Sequence, residues 1–238
     1  LNLGFKGGDD FLRVRQNRDL FARALGIRPA QFVIAEQVHG DEILEVTRKD
    51  LGKCLEPGGF VGKGDALITR ESGLALMVLV ADCMPILFYD SLHKAVGVAH
   101  AGWKGTLSVI AAKTLLRLGE KYGTKPSEVK VVLGPAIGKC CFEVGEDVRK
   151  QFLEVFPWGA EVFKPGFAGH WMLDLAETNA RQLLDLGVAA ENLHRTDLCT
   201  IDQINDFYSY RVEVGKAGAA GSSEKLGTGR IGAVVMLK

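Results

Sequence analysis

Two histidines and a cysteine stand where segments of this 238-residue sequence change character. His39 lies in "EQVHG" between two short runs of mixed polarity, and Cys83 in "ADCMPI" between two apolar runs. His100 lies in "VGVAHAGWKGT", where an apolar run meets a glycine-containing turn. Three such ligands plus one open position are what a catalytic zinc requires, and zinc lowers the pKa of a water it holds to about 7. The same residue types fit two other chemistries. Two histidines, a cysteine and a weak methionine describe a blue-copper centre, and Met84 follows Cys83. Neighbours in an extended segment face opposite ways, which turns Met84 from anything Cys83 holds. Five histidines in all (His39, His93, His100, His170 and His194) are too few for the imidazole-rich set of a multicopper oxidase. The third chemistry is a nucleophilic Cys83, activated by His100 and oriented by Asp82 or another carboxylate. Against it, Cys83 precedes Met84-Pro85 and another strand, not the helix start that often stabilises a reactive thiolate. Each of the three could equally be a packed core residue, since their wide separation lacks the support of a CxxC pair.

The elements that would position these residues follow from periodicity and punctuation. "DDFLRVRQNRDLFARALG" reads as an amphipathic helix capped by Asp9 or Asp10, with Val14, Phe21, Ala24 and Leu25 on one face and a stop at Gly26. "AQFVIAEQV" and "DEILEV" read as two strands joined through a turn at His39-Gly40, and residues 53–64 as a loop before the strand "DALIT". "LALMVLV", "PILFY" and "AVGVA" are continuous apolar runs, the pattern of buried strands. A helix is expected over 106–122 with Thr106 as N-cap and Gly123 as stop. Others are expected over 145–155, and from Asp174, with Glu177 completing a capping box, to Gly187. "VKVVLG", "NLHRT" and "IGAVVML" are further strands, and 214–229 a surface loop. With no repeat or composition break, one domain over 1–238 is expected. His39, Cys83 and His100 then fall at strand ends, where loops gather side chains into a crevice.

Composition narrows the partners. Lys plus Arg and Asp plus Glu each total 29, so no basic field draws nucleic acid or anionic lipid. The longest apolar stretches, such as "GLALMVLVA", fall well short of the roughly 20 residues of a membrane span. Five cysteines, an odd number with Cys140 and Cys141 adjacent, do not read as a disulfide framework. With no charged-then-apolar leader at the start, reduced thiols in the cytoplasm are expected.

The turn after His100 offers a further site. Glycines opening a helix present free N–H groups and a dipole to an anion, and Lys104 adds charge, although the "GxxxxGK" frame of a P-loop is absent and an ordinary strand-to-helix turn reads the same way. Trp103 could stack on a planar ring or cover the sheet edge.

Taken together, "LNLG", "NRDLFARALGI", "EQVHG", "GDALIT", "ADCMPILFYD", "VGVAHAGWKGT", "LGPAIGKCCFEVG", "DLCT", "FYSYR" and "TGRIGAVVML" resemble, in order, the family variously labelled laccase-domain, multicopper polyphenol oxidase or purine nucleoside phosphorylase. The resemblance implies a zinc-dependent enzyme that phosphorolyses adenosine, inosine, guanosine or methylthioadenosine and deaminates adenosine. Its metal ligands would be His39, Cys83 and His100. It implies an α+β fold of mixed β-sheets flanked by helices, similar to cysteine hydrolases of the cytotoxic necrotising factor type. By motif position, Asp65, Asp82 and Glu143 would move protons, while Lys104 or Arg211 would hold phosphate. The H-x-E and P-C-x-x-C deaminase signature is absent. Lys104 stands where the family usually has Arg, which keeps the charge and loses the bidentate fork. The link between "FYSYR" and "TGR" is longer than usual. The family's Thr-Arg and Gly-Gly-Val-Ser stretch, ahead of "LNLG", lies outside this sequence.

Overall fold

A computed structural model describes residues 1–213 and 227–238; the expected loop over 214–229 falls mostly outside these. In chain order the elements are α1 (Phe11–Leu25), β1 (Phe32–Val33), β2 (Ile43–Glu45), β3 (Ala66–Thr69), β4 (Ala75–Val80), β5 (Met84–Asp90), β6 (Ala95–Ala101), α2 (Trp103–Leu107), α3 (Ile110–Tyr122), β7 (Lys130–Leu133), β8 (Glu143–Val144), α4 (Glu146–Val155), β9 (Phe163–Pro165), β10 (Trp171–Leu173), α5 (Leu175–Asp185), β11 (Leu193–Arg195) and β12 (Ile231–Val235). Short 3-10 turns join several of them.

The apolar runs become the buried centre of an α+β fold with mixed sheets between helices. Among the described residues the largest sheet has six strands in the order β11-β7-β5-β6-β3-β2. All of β6 is buried in it. β5 and β6 form a hairpin, with Met84 opposite Ala101 and Asp90 opposite Ala95. β4 instead lies between β1 and β12 in a three-stranded sheet.

Alternation along the strands assigns the layers. Leu67, Val96 and Val98 meet Leu76, Val78 and Val80 between the two sheets. Ile68, Ile86 and Ala99 face Ile110, Leu115 and Leu118 of α3 and Ala180 and Leu183 of α5. Phe32, Ala75 and Met77 on the outer face of the small sheet pack against Ala22 of α1. The layers are therefore helix, sheet, sheet, helix. A third sheet, β8-β10-β9, is covered by α4.

Three local expectations are corrected. The segments flanking His39-Gly40 do not pair: Phe32 lies beside Ala75 and Ile43 beside Ala66, in different sheets. The helix expected over 106–122 is two helices broken at Val109, whose φ is +56°. Thr106 is not its N-cap. Gly102 holds that place for α2, and buried Thr106 accepts from Asn179 Nδ2 at 3.0 Å. In α1 the buried stripe is Val14, Arg18 and Ala22, while Ala24 and Leu25 are exposed. Arg18 is tolerated there because its guanidinium donates to the carbonyls of Leu3 and Cys54.

The expected stops and caps otherwise stand where local chemistry put them. Asp10 accepts from Leu12 and Arg13 N–H, and Gly26 and Gly123 adopt the left-handed conformation their C-cap positions require. Asp174 caps α5 by accepting from Glu177 N–H at 2.9 Å. Glu177 does not return the bond of a capping box; it pairs with Arg181 and Arg195.

Candidate metal centre

His100 is the penultimate residue of β6 and, like Val96 and Val98, faces the space between the sheets. It is 3% exposed. Its backbone N–H donates to Asp65 O at 2.7 Å, and its Nδ1 lies 2.8 Å from Asp65 Oδ1. A carboxylate on Nδ1 fixes the tautomer and leaves Nε2 free for a ligand.

Cys83 precedes β5, whose Pro85 lies opposite His100. Its side chain packs on the inter-sheet side while Met84 joins the core against α3. Alternation has thus put the sulfur of Met84 across the sheet from that of Cys83.

His39 arrives on the loop after β1. Gln37 anchors this loop to β4 by exchanging both amide hydrogen bonds with the main chain of Leu79, at 2.8 Å each. Asp65 then gathers the tip: Val38 N–H and Gly40 N–H donate to Oδ2 at 3.1 and 2.7 Å, and His39 N–H to Oδ1 at 3.0 Å. These bonds hold His39 at a φ of +60°, costly for a non-glycine residue. Its ring meets that of His100 edge to face, with centroids 4.9 Å apart. The ligand atoms of His39, Cys83 and His100 all lie within 4.8 Å of one another.

Gly102 closes the floor. A Cβ there would lie 2.8 Å from Cys83 Sγ and 3.4 Å from His39 Cδ2, so no larger residue fits with the cluster as it stands. His39 is exposed, which leaves the centre open on one side.

Electrostatically the three act as one unit. Burial pushes the Cys83 thiol up, but the charge on His100 and hydrogen bonds from both imidazoles outweigh it and bring the thiol down to about 6. Burial likewise opposes charge on His100, yet the Cys83 thiolate and Asp65 hold it up at about 9. Asp65 stays below the usual carboxylate range: burial opposes its charge, and His100 and the Gly40 N–H more than compensate. Two imidazoles and a ready thiolate fit a borderline-soft divalent ion, which would displace the proton on His100.

The other sequence candidates lie on the neighbouring loops. Asp82, with φ +79°, accepts from Thr200 Oγ1 at 2.6 Å, Ser209 Oγ at 3.1 Å and Arg211 N–H at 2.7 Å. Its carboxylate is committed to holding residues 200–211. Arg211 Nη1 donates to Glu143 O at 2.9 Å, so Arg211 and Glu143 are brought together, while Glu143 Oε1 accepts from Phe167 N–H at 3.3 Å. Trp103 is half-buried beside the cluster of Ile137, Phe142 and Leu173. Lys104 is exposed, its Nζ 5.6 Å from the Trp103 ring. The roles of Asp65 as the common anchor and of Gly102 as the floor were not visible in the sequence. The one local signal was an aspartate immediately before the buried run "ALIT".

The fold and site define an α+β protein with a candidate His–Cys–His metal centre at the end of its main sheet. The sequence profile of the family described as multi-copper polyphenol oxidoreductase laccase matches residues 1–238, and the chain belongs to that family. It is 34% identical over 220 residues to a protein of Bacillus subtilis strain 168 named purine nucleoside phosphorylase YlmD, covering 92% of this chain and 79% of that one. It is 34% identical over 206 residues to a purine nucleoside phosphorylase of Bacteroides thetaiotaomicron, covering 86% and 76%. The crystal structure of a hypothetical protein YfiH of Bacillus licheniformis superposes with a TM-score of 0.91 at 31% identity, over 100% of this chain and 85% of that chain. No helix among the described residues is long and apolar enough to cross a membrane.

Proposed function

We propose that the chain is a cytoplasmic, single-domain purine nucleoside phosphorylase whose metal is zinc. Its substrates would be adenosine, inosine, guanosine and methylthioadenosine with phosphate, and it would also deaminate adenosine. The observation that carries the reading is the convergence of His39, Cys83 and His100 within 4.8 Å, with His100 oriented by Asp65. The names of the relatives supply the substrate class. Bound zinc would supply Lewis acidity toward a substrate oxygen or a water.

The chain's own residues do the rest. In phosphorolysis a phosphate oxygen bonds to the anomeric carbon as the bond to the purine nitrogen breaks, and the base leaves with the electron pair and takes up a proton. Arg211 and the exposed Lys104 carry the charge to hold phosphate. Trp103 would offer a ring face to the base, and Glu143 would be the carboxylate that moves a proton. Asp82 positions Arg211 through its backbone N–H. In deamination water adds to the carbon bearing the amine and ammonia leaves.

The test is incubation with adenosine, with and without phosphate, and identification of products. Adenine and ribose 1-phosphate, lost in Cys83→Ala together with the zinc of the His–Cys–His centre, support the reading; full activity in that variant removes it. A second reading has its own observation: the Cys83 thiol brought down to about 6 beside an Asp65-oriented His100 is the arrangement of a cysteine nucleophile, and on that reading the fold would be similar to cysteine hydrolases of the cytotoxic necrotising factor type. Metal-free protein labelled at Cys83 by a thiol-reactive substrate analogue would favour it. Stoichiometric copper with a blue absorption would favour an oxidase instead.

A further inference from the structure

Three cysteines remain after the His–Cys–His centre and buried Cys54 are set aside, and the fold brings them together. Cys140 and Cys141 lie on the loop between β7 and β8, and Cys199 lies 58 residues beyond Cys141 on the segment after β11. Main-chain bonds zip the two stretches together: Ala136 N–H donates to Leu198 O at 3.2 Å and Thr200 N–H to Ala136 O at 3.0 Å. Both adjacent thiols turn the same way. Cys140 Sγ lies 3.0 Å from Asp202 Oδ2, and Cys141 Sγ 3.3 Å from Oδ1 of the same carboxylate. One ligand atom from each of Cys140, Cys141, Cys199 and Asp202 lies within 4.8 Å of all the others.

We infer that these four residues form a second metal site, rich in sulfur, that holds zinc as a structural ion. Four ligands at the bond lengths of tetrahedral zinc sit about 3.8 Å apart when they are sulfurs, so the cluster needs to tighten by less than about 1 Å. Three sulfurs and one oxygen complete a closed tetrahedron with no position left for substrate. The surroundings are those of a metal-bound sulfur. Gly138 N–H donates to Cys199 Sγ at 3.3 Å. Such a donor orients a ligand and offsets its charge. Gly138 itself lies against the cluster; a Cβ there would be 3.0 Å from Cys140 Sγ and 3.3 Å from Cys199 Sγ.

The place in the fold gives the ion a task. Thr200, next to Cys199, donates to Asp82, the neighbour of Cys83, and Ile137 N–H donates to Asp82 O at 2.9 Å. Asp82 in turn holds Arg211. An ion binding residues 140–141 to 199–202 would fix both sides of the Asp82 clamp without touching the His–Cys–His centre.

The test counts ions in the full-length chain, purified with reductant and reconstituted with zinc or cobalt. The Cys83→Ala variant isolates the second site, so failure of the nucleoside reading leaves this count intact. Cys83→Ala is expected to hold one zinc per chain. Cobalt in it should give the intense sulfur-to-metal absorption of three thiolates, and the further changes Cys140→Ser and Cys141→Ser should remove both. Asp202→Asn, an exposed and mild change, should weaken zinc about tenfold or more in chelator competition. Folded Cys83→Ala protein that holds no zinc overturns the inference. So does a disulfide among Cys140, Cys141 and Cys199, seen as a mass deficit of two hydrogens, in protein kept under reductant.

Discussion

Replacing Asp65 by Asn removes one charge at nearly constant volume and tests the anchor of the candidate centre. The two carboxylate oxygens accept from Val38, His39 and Gly40 N–H and from the His100 ring. An amide offers one oxygen and one NH2, so two of these four partners must face a donor. With NH2 at the Oδ2 position, the N–H groups of Val38 and Gly40 lose their acceptor. With NH2 at the Oδ1 position, His39 N–H loses its acceptor and His100 must accept at Nδ1, which moves its proton to Nε2 and blocks the nitrogen left for a metal. Each stranded buried donor costs about 1–3 kcal/mol. The loop tip is partly solvated, so the lower half applies, about 2–4 kcal/mol in all. In a chain of this size that lowers Tm by about 5–15 °C. Metal affinity should fall about 10–100-fold, the usual loss when the partner of a ligating histidine is removed. Chelator competition and thermal unfolding of the metal-free forms measure the two effects separately. Wild-type zinc affinity in folded Asp65→Asn would refute the assignment of Asp65 as the group that sets the ligand geometry.

Further expectations follow from single contacts. Gly102→Ala places a methyl 2.8 Å from Cys83 Sγ; it should cost about 1–3 kcal/mol of stability as overpacking and reduce bound zinc, and elemental analysis showing full zinc at unchanged Tm would contradict this. Lys104→Ala should raise the KM for phosphate, and Lys104→Arg, which restores a bidentate fork, should lower it; no change in either leaves Lys104 without a role in phosphate binding. Asp90 is fully buried and accepts from Leu92 and His93 N–H and from the His93 ring. Burial opposes its charge, but the His93 N–H and imidazole keep its carboxyl below the usual range. A carboxylate depressed on folding contributes stability above its unfolded pKa of about 3.9 and loses it as pH falls through the folded value. Asp90→Asn should therefore unfold at lower urea than wild type at pH 7, with the gap closing below about pH 4; a gap that widens in acid would reverse the assignment.

Several features were legible because their causes are local. A continuous apolar run needs burial on both faces wherever it lies, so β4, β5 and β6 could be read without a partner. The caps at Asp10 and Asp174 and the stops at Gly26 and Gly123 depend on one residue and its nearest turn. His39, Cys83 and His100 stood out because each sits at a break between such runs, and the structure brings all three together.

What failed depends on contacts made far along the chain. Pairing of strands is a choice among distant partners, and Phe32 takes Ala75 while Ile43 takes Ala66, against the hairpin their spacing suggested. Thr106 carries the local chemistry of an N-cap, but burial against Asn179 and Gln182 of α5 draws it inside α2 and leaves the break at Val109. Asp82 has the residue type of a proton carrier, yet its oxygens are taken by groups 118 to 129 residues away. The sequence by itself determined the donor types, their positions at strand ends and the apolar strands that carry them, since these follow from composition and nearest neighbours. Tertiary structure alone decided that Asp65 would bind the His39 loop to His100, that Gly102 would have to be glycine, and that Cys140, Cys141, Cys199 and Asp202 would meet. Each depends on atoms 19 or more residues apart approaching within about 4 Å, a distance set by the packing of layers.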